Sequence, residues 1–188
     1  MSPNRWEQPA VYLQSGDPET ESTPTLAYPG LLGVRFTVIQ PTRAAVTAAG
    51  AGRSKRYQIV RTDSTMSVAP FTGAVAWWSD KTQYLVTTSP TTLGRARIAG
   101  RFCRAANALG DYMCVQVEGP GAVKIIDAPT AAVTANSGQW VTPSSTAGKA
   151  DVLAVGSSPT YPPLGVVAGA MNNADNTVVV DLNVPETT

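Results

Sequence analysis

One ordered pattern occurs twice between residues 72 and 182, and it limits the fold more than any single residue does. The first pass runs Thr72-Gly-Ala-Val-Ala-Trp-Trp-Ser79, Leu93-Gly-Arg-Ala-Arg-Ile-Ala-Gly100 and Tyr112-Met-Cys-Val-Gln-Val117. The second runs Ser137-Gly-Gln-Trp-Val-Thr-Pro-Ser144, Leu164-Gly-Val-Val-Ala-Gly169 and Thr177-Val-Val-Val-Asp-Leu182. Each is a Gly-led strand with Trp, a long polar loop, a Leu-Gly to Ala-Gly stretch and a closing strand. Setting Gly73 on Gly138 gives an offset of about 65 residues. Recurrence of one supersecondary unit predicts repeat units at about 72–117 and 137–182, made either by duplication or by the same turn chemistry used twice.

Composition agrees with a strand-built chain. Apolar residues are 43% of the 188, and charged residues only 14%, well under the usual quarter. β-branched residues suit a pleated surface, while 16 Gly and 15 Pro interrupt helices. Net charge is +1, so no long-range pull toward nucleic acid or an anionic membrane is expected. So weakly charged a surface is poor at keeping neighbours apart, which fits a chain covered by other subunits.

Residues 1–30 carry Pro3, Pro9, Pro18, Pro24 and Pro29, spacing that blocks helix and central strand alike. An extended N-terminal arm is expected there, with Trp6, Tyr12 and Leu13 as contacts to a neighbour, because a solvated tail has little use for them. No basic start followed by an apolar run marks a signal peptide, and no apolar stretch nears a membrane span.

The β-rich body is expected over 31–188. Val34–Ile39 and Tyr57–Arg61 are strands, with Thr62–Thr65 a turn. Thr42–Gly52 is loop or strand with a short helical option. Gly73–Trp78 and Tyr84–Thr88 form a hairpin with both faces partly apolar, which calls for cover on two sides. Arg95–Gly100 and Tyr112–Val117 follow. Gly119-Pro-Gly121 breaks the chain before Ala122–Ile126, and a long loop spans Pro143–Pro163. Asn172–Asn176 turns into the strand Thr177–Leu182. The fold class is therefore all-β: a β-barrel or β-sandwich of hairpins with an internal repeat and the extended arm.

The chain holds no histidine. That removes the commonest general base, zinc ligand and pH switch together. Ser54-Lys55, Ser79 with Lys81 and Ser145 with Lys149 are the remaining nucleophile–base pairs, and all sit in turn-like segments where Ser and Lys belong anyway. Asn172, Asn173, Asp175 and Asn176 lack the bidentate acid of a calcium loop and suit a turn. Ala49–Lys55 lacks the ending of a phosphate loop. Cys103 and Cys114 fit no metal pattern, and spacing alone leaves a disulfide open. No catalytic residue, cofactor or metal is expected, nor an enzyme. Arg95 and Arg97 alternate with apolar neighbours and are a candidate docking patch for an acidic partner. Trp77, Trp78 and Trp140 are candidates for core, for a subunit contact, or for stacking on sugars.

The run Arg56–Asp63, then Gly73–Asp80, Tyr84–Thr88, Ile98–Gly100 and Tyr112–Val117, resembles small virion proteins of tailed bacteriophages. Pro143–Asp151 and Leu164–Gly169 extend the resemblance, which covers most of residues 56–184. The class it implies is capsid decoration, or cement, proteins: β-rich, often trimeric, seated on the head surface and assembled in the host cytoplasm. The partners implied are the major capsid protein and further copies of the chain. Another virion part, a tail-tube, head-fibre or tail-fibre module, and a carbohydrate-binding β module are the alternative expectations.

Overall fold

The computed structural model describes residues 32–39, 54–90, 97–106, 108–135 and 137–185. The expected arm, with Trp6, Tyr12 and Leu13, lies outside these residues, as do Thr42–Gly52 and Arg95.

All described regular structure is β. The strands are β1 (Arg35–Ile39), β2 (Ser54–Thr62), β3 (Val75–Asp80), β4 (Leu85–Thr87), β5 (Ile98–Phe102), β6 (Tyr112–Lys124), β7 (Trp140–Pro143), β8 (Ala150–Val152), β9 (Gly165–Asn172) and β10 (Thr177–Asn183). Sheet order is β1-β2-β4-β3-β5-β6-β10-β9-β7-β8, and β2 also pairs with β6. That extra pairing closes a five-stranded barrel from β2, β4, β3, β5 and the first half of β6. Its one parallel pair is β2 with β4; the rest are antiparallel.

A second ring uses the same recipe. The far half of β6 pairs with β10, β10 with β9, β9 with β7 and β7 with β8, all antiparallel. A parallel bridge between Ile125 and Ala150 brings β8 back to the end of β6. In each ring the first strand lies parallel to the third and antiparallel to the fifth. Register repeats as well as order. Arg101 faces Gln116, and 65 positions on (101 to 166, 116 to 181) Val166 faces Asp181. Ala76 faces Gly100, and Val141 faces Gly165. Phe102 N–H donates to the Ala74 carbonyl, and Val167 N–H to that of Gln139. Gly100 and Gly165 share a reason for being glycine. A Cβ on Gly100 would meet the Gln116 carbonyl oxygen at 2.5 Å, and one on Gly165 would collide with that of Asp181.

The two rings share β6, so the Gly119–Gly121 segment bends a strand rather than breaking the chain. Gly119 has φ +86°, a region costly for any residue with a Cβ. β2 pairs with β6 only up to Glu118, so one side of Pro120 has no ladder to supply. The loop expected over Pro143–Pro163 also contains a strand, β8. Its Ala150 and Val152 point inward and Asp151 outward, a three-residue alternation too short to stand out.

Three apolar clusters hold the body. Val60, Ala74, Ala76, Trp78, Val86, Phe102, Met113 and Val115 fill the first barrel. Val123, Val141, Val152, Leu164, Val167, Val178, Val180 and Leu182 fill the second, joined by Val75, Trp77 and Ile98 from the outside of the first. Tyr57, Ile59, Cys103 and Cys114 lie under β1, where Phe36 stacks on Tyr57 at 5.6 Å. The two cysteines are buried and form no disulfide. The apolar cover needed on both sides of β3 thus comes from within the chain: Trp78 faces one barrel and Trp77 the other. Burying each such side chain is worth about 1.5–3 kcal/mol or more.

Arg101 and Gln116 are 1% and 0% exposed at the joint. Arg101 Nε donates to Gln116 Oε1 at 2.8 Å, and Gln116 Nε2 reaches the carbonyls of Glu118, Gly119 and Pro120 at 3.0–3.1 Å. Gln116→Leu removes the acceptor of a buried guanidinium and the donor to the bend, so it is expected to cost about 2–4 kcal/mol. In urea unfolding, tryptophan fluorescence and far-ultraviolet circular dichroism should shift together, since β6 couples both barrels; separated transitions would contradict that coupling.

Candidate functional site

Trp140 opens β7 and is 37% exposed, whereas Trp77 and Trp78 are 0% and 6%. Its exposure follows from the register. It occupies the second barrel's counterpart of Val75, on the outer side of the strand, where the first barrel is covered and the second is not. Beside it β9 contributes Gly165 and Val166, and β10 contributes Asp181, Leu182 and Asn183. The bend in β6 supplies Glu118, Gly119 and Pro120, and β2 supplies Ser54. Together they line an open groove of about 750 Å³. An indole, two carboxylates, an amide and a hydroxyl thus border one depression. Glu118 is paired with Arg56 at 3.0 Å across the groove's rim, with both side chains about half exposed.

Trp77 and Trp78 are buried in the two cores, the packing role that was one of their expected readings. Arg97 is exposed just before β5. The other cations of the body are largely used internally. Arg61 Nε donates to the Gly110 carbonyl at 3.0 Å, and its guanidinium lies 5.8 Å from the Tyr112 ring centre. Lys149 pairs with Asp127 at 3.0 Å, which occupies it as a salt-bridge partner rather than as a base beside Ser145. Asn172–Asn176 forms the β9–β10 turn, with Ala174 N–H bonded to Asn172 Oδ1 at 3.1 Å and Asn176 at φ +49°. No group of three or more His, Cys, Asp or Glu placed to hold a metal occurs among the described residues.

Of the named contact residues among the described ones, Trp77, Trp78, Arg97 and Trp140, only Trp140 lines this groove. Asp181, Asn183 and Val166 were missed. The alternation of Thr177–Leu182 does put Asp181 on the outer face, but its placement beside Trp140 depends on the β7–β9–β10 order, which no local pattern encodes.

Three turn carboxylates sit below their ordinary range. The Thr65 backbone N–H, then its hydroxyl, lower Asp63; the Thr82 hydroxyl lowers Asp80; the Lys149 ammonium lowers Asp127. The sequence matches no family model, no curated protein and no solved structure.

Folded pKa values below the unfolded ones add stability above the unfolded carboxylate value and lose it as pH falls through the folded value. With no histidine, stability is expected to be flat from about pH 5 to 8 and to decline below about pH 4. A thermal-melt series across that range checks this, and a midpoint step near pH 6 would contradict it.

Proposed function

We propose that the protein is a capsid decoration (cement) protein of a tailed bacteriophage, binding the outer surface of the head as a homo-oligomer, a trimer, and stabilising the shell through subunit contacts. The observation that carries this reading is architectural: two barrels of one topology are fused through a single bent strand. Such a body resists deformation and offers two related surfaces, which is what a lattice-binding part requires. Low charge and the sequence resemblance support the same role. A ligand that binds only the expanded shell stabilises that shell by mass action, and many weak contacts repeated by symmetry add avidity. The major capsid protein is the partner this requires.

The test is binding to empty expanded capsids. The intact chain is expected to bind and to raise the temperature at which the shells open. Deleting residues 1–30 should weaken binding by tenfold or more, on the order of 1.4 kcal/mol, while leaving the melting temperature of the body unchanged. Undiminished binding would remove the arm from the mechanism, and absent binding by the intact chain would remove the reading itself.

A carbohydrate-binding reading is supported by one observation, the exposed Trp140 beside Asp181, Asn183 and Ser54. Stacking on Trp140 predicts glycan-array signals that disappear in Trp140→Ala, whereas a silent array counts against this second reading.

A further inference from the structure

We propose that the outer face around Trp140 is a seat for the β3–β4 turn of a second copy of this chain, giving a head-to-tail contact. The two barrels supply the argument because they share topology and register but differ in what covers them. Val75, Arg101 and Gln116 stand on the outer side of the first barrel and are 0%, 1% and 0% exposed. Their counterparts 65 positions on are Trp140, Val166 and Asp181 (75 to 140, 101 to 166, 116 to 181). Those three line the open groove. One face is thus built twice, buried once and left open once.

Within the chain, the Gly119–Gly121 bend of β6 covers Arg101 and Gln116, the second barrel's core covers Val75, and the start of β3 also meets a turn. The β7–β8 turn of the second barrel, residues 144–149, seats against the start of β3. Val75 N–H donates to the Gly148 carbonyl at 2.9 Å, and Gly148 N–H to that of Thr88 at 2.7 Å. Val75 and Trp77 then join the second barrel's core. The same segment 65 positions earlier, residues 79–84, is the end of β3 with the β3–β4 turn. The two turns share a backbone bond: Lys149 N–H to Thr146 carbonyl at 3.1 Å, and Tyr84 N–H to Lys81 carbonyl at 3.2 Å.

The β3–β4 turn is exposed at Lys81, Thr82 and Gln83. It is also pre-set, because Asp80 Oδ1 accepts from Thr82 N–H at 2.9 Å, the Thr82 hydroxyl at 2.6 Å and Gln83 N–H at 3.3 Å. Each copy therefore carries one bare turn and one bare seat whose relatives already meet inside the chain. Lys81 brings positive charge toward a groove lined by the Asp181 carboxylate. A turn-to-seat contact is heterologous, so it makes a closed ring where its rotation closes and an open chain of copies where it does not. The inference rests on the oligomer part of the capsid reading and is tested without capsids, so either can fail while the other holds.

The test is sedimentation velocity on the full chain. Wild type is expected to form concentration-dependent oligomers. Trp140→Asp, which spoils the seat, and Lys81→Glu, which spoils the turn, should each weaken self-association by about tenfold or more. Mixed together, the two variants should form a species of one copy each, because the intact turn of one fits the intact seat of the other. Circular dichroism matching wild type confirms that both variants are folded. A monomeric wild type, oligomers that persist in both variants, or a mixture that stays monomeric would each overturn the proposal. So would a monomer that captures glycans through Trp140.

Discussion

The bend in β6 is the constraint on which the rest of the molecule depends. A strand of 13 residues closes one barrel with its first half and founds a second with its remainder. Such a strand must change direction without losing its hydrogen bonds. Gly119 supplies the backbone freedom, and Gln116 satisfies the carbonyls that the bend turns away from the ladder. Arg101 holds Gln116 in place from the neighbouring strand. Buried polar groups of this kind are costly unless satisfied, so the pair fixes one geometry for the joint and penalises others. The relation of the two barrels is thereby set by side-chain chemistry as well as by packing.

From that joint the division of the tryptophans follows. β3 runs between the barrels, so its two faces enter two different cores, and adjacent residues Trp77 and Trp78 serve opposite sides. β7 occupies the same place in the second barrel but has no further barrel beyond it. Trp140 is therefore left at the surface by position, not by any difference in local sequence. The groove exists because the pattern stops after two units within the described residues.

The strand content was legible because its signals are local. Alternation in Tyr57–Arg61 and Thr177–Leu182, and Gly73 and Gly138 ahead of their strands, sufficed to place β2, β10, β3 and β7. The offset seen between those glycines is the offset at which the strand pairings recur. What escaped was encoded non-locally. Gly119-Pro-Gly121 has the composition of a break, and only the departure of β2 on one side makes it a bend inside a strand. β8 is three residues long and owes its existence to β7 and Ile125. The groove joins residues from five strands and was represented in the sequence by Trp140 alone. Trp77 and Trp78 were equally good candidates until the second barrel was seen to cover them.

The shared strand also sets an order of events during synthesis. Once Val117 has left the ribosome the first barrel has all its strands, but Val75, Trp77 and Ile98 still lack the partners that later bury them. Until β7 to β10 follow, a nascent chain displays an apolar strip on a closed and otherwise finished barrel. A half-made molecule then exposes apolar surface that the complete one buries, and neighbouring chains on one messenger carry the same strip. Slow codons between residues 118 and 183 would lengthen that exposure, so the second barrel acts as the cover that completes the first.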